Sequence, residues 1–292
     1  MISKWSEHPL ASLGQIVIIG ALLAAACGQA DGISTDTPPA PAPTSAGLLP
    51  GAQPLNISWQ WQLEELPIDL SLEADLYDID LFENDAAVVA ALHSRQRTVI
   101  CYISAGSWEN WRPDADEFPS PVIGNDYGGW PGEKWLDIRQ IDLLAPIMRS
   151  RLDECKAKGF DGVEPDNIDG YTNDTGFPLT YEDQLNYNIW LANEAHARGL
   201  SIGLKNDPDQ VADLLDHFDW ALTEDCFAEG WCHQLLPFLA AGKSVFAAEY
   251  TDTGMTLDQL CSEANAKNFN AILKHRELGV YRETCHGASV GN

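Results

Sequence analysis

Basic residues are scarce in this chain of 292 residues. Only 17 Lys and Arg stand against 44 Asp and Glu, so the formal net charge is −27. A nucleic-acid-binding protein is normally basic, so this balance argues against a nucleic-acid partner. An acidic field attracts cations and repels polyanions, although a solubilising surface is the more common reason for such a charge.

Metal-ligand spacings are missing as well, because the chain has neither a Cys-x-x-Cys pair nor a His-x-x-x-His pair. Zinc sites usually show such spacings, so we predict no metal and no cofactor. This absence also disfavours a metal-dependent deacetylase. The histidines are scattered, and only His275 follows a predicted strand. We assign none of them a catalytic role.

Long apolar runs are lacking too, since the run Ile16–Ala26 is too short for a comfortable membrane span. It follows Lys4 and ends in small residues before Cys27, which is the layout of an export signal. We predict a lipoprotein-type signal peptide over residues 1–26, cleaved before Cys27. Lipidation of Cys27 would be the protein's only membrane attachment. The protein is then exported, either to the cell surface or periplasm as a lipoprotein or as a secreted protein.

Residues 27–55 are rich in Pro, Ala and Thr and have few apolar side chains. Such a segment cannot bury enough surface to offset its ordering entropy, so we predict a flexible linker. Residues 56–286 then form one folded domain, which we expect to be a monomer. Without Cys27 the chain has six cysteines, and in an oxidising compartment an even number indicates disulfides. Sequence proximity favours the pairs Cys226–Cys232 and Cys261–Cys285, which leaves Cys101–Cys155.

Strand and helix patterns alternate along the domain. Eight segments have the composition of strands. They are Ile57–Trp61, Leu76–Leu81, Thr98–Ile103, a short strand through Val163, Leu200–Leu204, Phe218–Thr223, Val245–Ala248 and Ala271–Leu273. This order predicts an α/β fold, a (β/α)8 TIM barrel. An open doubly wound sheet is the alternative, but no glycine-rich phosphate loop follows the first strand.

Helix ends and one long connection are also readable. Asn84 is a predicted N-cap, and Thr256 with Gln259 forms a predicted capping box. Only the link after the first strand, which contains Pro67, leaves little room for a helix. A loop from Ser104 to about residue 139 contains four of the chain's ten Trp residues. A loop of this length inside a compact domain is usually functional or disordered, and its aromatic content favours function.

Polar side chains follow nearly every predicted strand, and a parallel barrel gathers them around one mouth. They are Asp78, Asp80, Ser104, Glu164, Asp166, Lys205, Asn206, Glu224, Asp225 and Glu249. Alternation along a strand puts Glu164 and Asp166 on one face, points Glu224 inward and turns Asp225 away. Clustered acids separate in pKa, and this supplies the proton donor and the nucleophile that glycoside hydrolysis requires.

Five motifs, in order, resemble glycoside hydrolase family 114. They are Trp59–Gln62, Tyr77–Phe82, Cys101–Glu109, Gly162–Asn167 and Thr223–Phe227. The resemblance implies a (β/α)8 barrel and endo-α-1,4-polygalactosaminidase activity on galactosamine-containing polysaccharide. It also implies that Asp166 is the nucleophile and Glu224 the acid/base of a retaining reaction. Glu164 is the main rival for the first role, and Asp225 and Glu249 are rivals for the second.

Substrate contacts are predicted around this pair. Tyr102 belongs to the third motif, and Trp108 and Trp135 are suited to stacking on sugar faces. Lys205 and Asn206 are suited to sugar hydroxyls, unless Lys205 is a buried counterion of Asp166. Glu164 orients Lys205 or holds a partner if it is not the nucleophile, and Glu249 is suited to an amino group. A cationic galactosamine polymer would be attracted by acids at the mouth, namely Asp78, Asp80, Asp225 and Glu249.

Two alternatives remain open from the sequence. One is a surface carbohydrate-binding barrel without turnover, and the other is a hydrolase of a different amino-sugar glycan. The two acids at the strand ends argue against the first alternative, whereas nothing in the sequence identifies the natural glycan.

Overall fold

The computed structural model describes residues 56–285. The predicted signal peptide, the linker with Cys27, and residue 286 of the predicted domain lie outside this range. Within it, no helix is both long enough and apolar enough to cross a membrane.

Twelve strands occur in the described range. They are β1 Trp59–Gln62, β2 Leu76–Asp80, β3 Thr98–Ser104, β4 Ser107–Glu109, β5 Ile123–Asp126, β6 Glu133–Leu136, β7 Gly162–Asp166, β8 Ser201–Lys205, β9 Trp220–Glu224, β10 Val245–Tyr250, β11 Asn270–Lys274 and β12 Glu283–Thr284. The α-helices are α1 Ala86–His93, α2 Ile141–Lys158, α3 Tyr181–Ala197, α4 Val211–Leu214, α5 Cys226–Glu229, α6 Leu236–Ala240 and α7 Leu257–Lys267.

Eight of these strands form the barrel, each parallel to the next, in the order β1-β2-β3-β7-β8-β9-β10-β11. All eight overlap the strands predicted from the sequence, so the predicted (β/α)8 fold is confirmed. Between β1 and β11, side chains bridge the seam. Asn270 accepts hydrogen bonds from the Trp59 indole nitrogen at 2.8 Å and from the Ile57 amide at 2.7 Å. The short antiparallel strand β12 pairs with β11 on the edge that is not paired with β10.

Large aromatic side chains fill the barrel interior. The Phe246 ring meets Trp59 at a centroid distance of 5.2 Å and Trp220 at 5.7 Å, so side chains of β10, β1 and β9 pack together inside the barrel. Gly203 makes room for this packing, because a Cβ at that position would lie 2.3 Å from the Trp220 ring. Dense packing here supports the bottom of the cavity described below.

The helices cover the outside of the sheet. The core face of α2 buries Leu144, Ile147, Met148 and Leu152, and the helix ends at Gly159 with φ 94°. Glycine takes that left-handed cap without strain. The predicted capping box of Thr256 and Gln259 is confirmed at α7.

The N-cap of α1 differs from the prediction. Asp85, rather than Asn84, accepts the Ala87 and Val88 amides, at 2.9 and 3.1 Å. The Asn84 amide donates instead to the Asp80 carbonyl at 2.9 Å. Asp85 takes the N-cap position because the buried Asn84 side chain is already bonded to the end of β2, whereas the Asp85 side chain is available to the helix amides.

The long segment between β3 and α2 is more ordered than the predicted loop. It folds into a second sheet, which is antiparallel and has the strand order β4-β6-β5. Sequence patterning missed this sheet because its strands are only three or four residues long. The sheet stands beside the C-terminal ends of the barrel strands, and Trp135 on β6 is buried there.

All three disulfides pair as sequence proximity predicts. Cys101–Cys155 joins β3 to α2, and Cys261–Cys285 ties α7 to the end of the described chain. Cys226–Cys232 closes a small loop directly after β9. Cross-links of this kind stabilise chiefly by restricting the unfolded chain.

Candidate active site

A cavity of about 920 Å³ opens at the C-terminal ends of the barrel strands. That is the end at which TIM barrels carry their active sites. Its volume is near the upper end for ligand pockets, which leaves room for more than one sugar. The cavity wall includes eight of the predicted site residues, namely Asp80, Tyr102, Trp135, Asp166, Lys205, Asn206, Glu224 and Asp225.

At the cavity floor, one ammonium joins the two predicted catalytic acids. Lys205 Nζ lies 2.8 Å from Asp166 Oδ1 and 3.2 Å from Glu224 Oε2. These two oxygens are therefore no more than about 6 Å apart, because both contact the same nitrogen. A separation of about 5–5.5 Å is typical of retaining glycosidases, and inverting enzymes need about 6.5–9.5 Å. Both side chains are accessible, Asp166 at 19% and Glu224 at 27% exposure.

Asp166 is held by three donors. Its Oδ2 accepts from the Tyr102 hydroxyl at 2.9 Å, and its Oδ1 accepts from Lys205 and from the Asn167 amide, the latter at 2.9 Å. Burial, and then the charge of Asp166, raise the pKa of Tyr102 well above its ordinary value. Tyr102 therefore remains a neutral donor. Three donors on the two oxygens fix the orientation of the Asp166 carboxyl at the cavity floor.

Glu224 has a matching set of partners on the other side. Tyr250 donates to Oε1, and the Asn206 side chain donates to Oε2 at 3.1 Å while its carbonyl oxygen accepts from the Glu224 amide at 2.9 Å. Burial, followed by the charge of Glu224, raises the pKa of Tyr250 well above its ordinary value. Tyr250 ends β10, so the strand-end signal that identified Glu249 could also have identified it.

Lys205 is itself buried against the Trp61 ring, with its ammonium 4.7 Å from the ring centroid. Burial alone would lower the pKa of Lys205, but the charges of Asp166, Glu164 and Glu224 outweigh it and raise the pKa well above its ordinary value. The ammonium therefore stays charged. Its contacts favour the counterion role predicted as the alternative to binding sugar hydroxyls.

Glu164 and Asp78 lie beneath this site and have no exposed surface. Glu164 Oε1 contacts Lys205 Nζ at 2.9 Å, while its Oε2 and both Asp78 oxygens accept no hydrogen bond from a donor among the described residues, and the two carboxyls interact with each other. Burial raises the pKa of Glu164 to about 7, against the opposing effect of Lys205. A fully buried carboxylate cannot reach a sugar in this conformation. The geometry therefore favours Asp166 over Glu164 as nucleophile, and it leaves Asp78 without substrate contact.

Two further predicted residues lie away from the cavity wall. Trp108 is partly buried against the main hydrophobic core, and its indole nitrogen donates to the Ala115 carbonyl at 3.0 Å. Glu249 is buried and accepts the Phe227 and Ala228 amides at 2.7 and 3.2 Å. Its carboxylate lies near the sulfurs of Cys226 and Cys232, but these two are joined in a disulfide and offer no thiolate. Glu249 therefore caps α5 and does not face an amino group.

Asp80 and Asp225 reach the cavity wall with their charges already paired. Asp80 lies 2.6 Å from Arg112, and Asp225 lies 2.9 Å from Arg276. Strand parity predicts that Asp225 faces away from Glu224. The chain instead takes a left-handed turn at Asp225, with φ 55°, and this turns the side chain to the cavity. Strand alternation does not extend past the last strand residue, which is why the parity argument failed here.

The cavity wall remains strongly acidic despite these pairs. Its cations are Arg112, Lys205 and Arg276, and each is ion-paired. Its acids are Glu64, Asp80, Glu83, Glu109, Glu133, Asp166, Asp169, Asp207, Asp209, Glu224, Asp225, Glu229 and Glu277. The negative field at the mouth therefore comes mostly from residues other than the four acids predicted to attract the polymer, of which only Asp80 and Asp225 line the cavity.

Three of these acids have pKa values raised to near neutral pH, and none of the three was predicted from the sequence as a site residue. Burial is the largest cause in each case. It raises the pKa of Glu133 to about 7, of Asp169 to about 6 and of Asp207 to about 8. The charge of Asp166 adds to the shift of Asp169. Asp169 and Asp207 lie three and two positions past the ends of β7 and β8, and Glu133 begins β6 of the second sheet, so none of them is the residue that ends a predicted barrel strand.

Comparison with known proteins agrees with the fold. A model of glycoside-hydrolase family GH114 matches residues 38–290. Among solved structures, Ega3 of Aspergillus fumigatus in complex with galactosamine is 40% identical, with a TM-score of 0.77 over 81% of this chain and 98% of that one. The glycoside hydrolase domain of PelA from Pseudomonas aeruginosa shares the fold at 15% identity and TM-score 0.61, over 78% and 98% of the two chains. A search of curated proteins gave no match.

Proposed function

Since the chain belongs to glycoside-hydrolase family GH114, we propose that it cleaves internal α-1,4 bonds of a galactosamine-rich polysaccharide with retention of configuration. The observation that carries this proposal is the contact of Asp166 and Glu224 with one Lys205 nitrogen, at 2.8 and 3.2 Å. It places two accessible carboxyls within about 6 Å at the floor of a sugar-sized cavity.

In the first step Asp166 attacks the anomeric carbon and Glu224 gives its proton to the leaving glycosidic oxygen. The bond from carbon to that oxygen breaks, and a glycosyl ester forms on Asp166. Glu224 is then a carboxylate, the form that the donors Tyr250, Asn206 and Lys205 stabilise. In the second step Glu224 takes a proton from water, whose oxygen attacks the same carbon and releases Asp166.

Charge supports a cationic substrate. Galactosamine without its acetyl group is an ammonium near neutral pH, and the cavity wall carries acids in large excess over ion-paired cations. Ega3 is a GH114 relative whose structure contains galactosamine. The acids near the cleavage site would bind the sugar ammonium groups, and the field of the whole wall would raise the local concentration of polymer.

The three disulfides support an exported protein, because disulfides form and persist in oxidising compartments. We also propose that residues 1–26 are removed and that Cys27 is lipidated. Radiolabelled palmitate incorporation that is lost in Cys27→Ser would support the anchor, and a secreted, unlabelled protein would contradict it.

The direct test uses the purified domain with α-1,4-linked galactosamine polymer and with its N-acetylated form. We expect new reducing ends and an early fall in average chain length from the deacetylated polymer, the pattern of internal cleavage. Release of single sugars alone would contradict internal cleavage. Binding without new reducing ends would instead support a non-catalytic carbohydrate-binding barrel, and cleavage of only another amino-sugar polymer in a glycan panel would correct the substrate.

A further inference from the structure

Two tryptophans stand exposed on the rim of the cavity. Trp111 is 48% and Trp130 is 50% exposed, and both line the cavity. In the part of the chain that the structure describes, large apolar side chains are otherwise mostly buried. Exposed apolar surface has a free-energy cost, so its placement beside a binding cavity indicates contact with a ligand.

The cavity continues past Trp130. A second depression of about 410 Å³ shares Tyr127, Trp130 and Pro131 with the main cavity. Glycines leave the tryptophan uncovered, since a Cβ added at Gly128 or Gly129 would meet nothing within 4 Å. An extended ligand in the cavity therefore has an open path over the Trp130 ring.

Ring packing and backbone hydrogen bonds hold the turn that carries Trp130. The Tyr127 ring packs on Trp135 at a centroid distance of 4.7 Å. Backbone hydrogen bonds join Tyr127 to Glu133 at 2.8 Å and Glu133 to Trp130 at 3.1 Å, which closes the turn that carries Trp130. A platform fixed in this way loses little conformational entropy when a ligand binds.

Building on the proposed function, we propose that Trp111 and Trp130 form a distal subsite, which stacks on sugar rings of the polymer away from the bond that is cleaved. The apolar faces of pyranose rings suit indole surfaces, and the surrounding acids suit the ammonium groups of the same chain. The subsite makes the enzyme favour long chains over short ones.

The test compares chain lengths. We expect Trp111→Ala/Trp130→Ala to lower kcat/KM on long polymer by about tenfold, the scale of losing aromatic contacts. The shortest oligomer that the wild type cleaves should be cleaved as before. Leu236→Ala, another exposed apolar residue that lies outside the cavity wall, is the matched control. Equal losses on both substrates, or no loss on polymer, would overturn the subsite; a wild type inactive on both would instead overturn the proposed function.

A second inference concerns Asp78, which is wholly buried on β2. Neither of its carboxyl oxygens accepts a hydrogen bond from a donor group in the part of the chain that the structure describes, and the side chain that interacts with it most strongly is Glu164. Its register neighbours on β1 and β3 are Trp61 and Ile100, and neither donates a side-chain hydrogen bond to it. Two carboxyls can form a hydrogen bond only if one of them carries a proton.

The proton belongs on Asp78. Glu164 Oε1 accepts from the Lys205 ammonium at 2.9 Å, which favours an ionised Glu164, whereas Asp78 has no cation in contact. We infer that Asp78 is a positioning residue that acts as a neutral hydrogen-bond donor. It holds Glu164 against Lys205, and thereby keeps the ammonium between Asp166 and Glu224. Burial and the charge of Glu164 raise the pKa of Asp78 well above its ordinary value, in agreement.

This assignment makes an asymmetric prediction. Asp78→Asn keeps a donor to Glu164 and should retain kcat within about twofold. Asp78→Leu, of similar bulk but without a donor, should lower kcat about tenfold or more. KM should change little, because position 78 and Glu164 are both buried away from the substrate. Glu164→Gln should resemble Asp78→Leu. Loss of kcat in Asp78→Asn equal to that in Asp78→Leu, with both variants folded by circular dichroism, would show that an ionised Asp78 is required and overturn the inference.

Discussion

Lys205 donates to Asp166 at 2.8 Å from the end of the neighbouring barrel strand. The same ammonium contacts Glu164 and Glu224, so one buried cation meets three carboxylates that come from two other strands. The shared contact fixes the spacing of the three acids. Much of the site's expected behaviour follows from this arrangement.

Removing either catalytic carboxyl should abolish most activity. Asp166→Asn and Glu224→Gln are each expected to lower kcat on polymer by on the order of 10³-fold, the scale of losing a nucleophile or an acid/base group. Reducing-end release measures the effect, and circular dichroism checks folding. Asp116→Asn, an exposed acid away from the cavity wall, is the control and should retain activity. Full activity in either catalytic variant would remove that residue from the mechanism.

The anomeric configuration of the first product should be retained. Because the two carboxylate oxygens lie within about 6 Å, an attacking water does not fit between them and the sugar, and Asp166 must react directly. Proton NMR of a fresh digest should show the α-anomer before mutarotation. Initial formation of the β-anomer would mean direct attack by water and would contradict the nucleophile assignment.

Loss of the shared cation should damage both activity and folding. Lys205→Met leaves three carboxylates facing one another, with Glu164 buried and unpaired. A buried charge without its partner costs about 3–5 kcal/mol of unfolding free energy. Repulsion makes the site easier to protonate, so the acidic limb of the pH–rate profile should move to higher pH.

A double variant separates the two effects of that change. Lys205→Met/Glu164→Gln removes the unpaired buried charge, so its thermal stability should recover while its activity stays low. If the double variant recovered activity as well as stability, Lys205 would be structural and its contact with Asp166 would not matter to the reaction.

Asp207 should make the folded state sensitive to pH. Burial, and then the charge of Asp169, raise the pKa of Asp207 to about 8, so the folded state holds this proton more tightly than the unfolded chain does. Stability from this group is fully present below the unfolded pKa of about 3.9 and is lost as pH rises through about 8. The melting temperature of the wild type should therefore fall relative to Asp207→Asn between pH 5 and pH 8.

Asp207→Asn serves as the control, because subtracting its melting temperature from that of the wild type removes the contributions of all other titrating groups. An asparagine can keep both contacts, since its oxygen can accept from Asn188 and its amide can donate to the Tyr171 hydroxyl. A melting-temperature difference that stays constant from pH 5 to pH 8 would show that Asp207 titrates normally in the folded state.

Salt should weaken binding of the cationic polymer. Screening shortens the reach of the acidic field from about 10 Å at 0.1 M to about 3 Å at 1 M salt. KM for deacetylated polymer should rise over this range, with kcat nearly constant. N-acetylated polymer at matched viscosity tests for general salt effects. A KM that does not change with salt would mean that the acids on the cavity wall do not attract substrate.

Local patterns were sufficient for the barrel and for part of the site. Strand composition, helix caps and glycines act over a few residues, and the eight barrel strands were predicted from them. The residues Asp166, Lys205 and Glu224 were predicted because parallel strands must end at one mouth. The short strands of the second sheet, and the Asp85 cap in place of Asn84, were missed because neighbouring contacts decided between similar local choices.

Roles within the site depended on distance and burial, which local patterns do not contain. Asp78, Glu164 and Glu249 end or nearly end their strands just as Asp166 does, yet they are fully buried, the first two beneath the cavity and Glu249 against α5. Trp108 belongs to the same segment as Trp111, yet only Trp111 lines the cavity. Packing depth sets these differences, and depth arises from how strands far apart in sequence tilt and curl together.

The amino-acid sequence by itself determined the strand order, the disulfide partners, the acidic charge and the presence of polar groups at the strand ends. Each of these follows from the identities of neighbouring residues or from simple counting. Only the tertiary structure decided that Lys205 bridges two carboxyls, that Tyr250 serves Glu224 and that Asp225 turns to the cavity. Those relationships join residues on separate strands, and folding creates them by closing the sheet into a barrel.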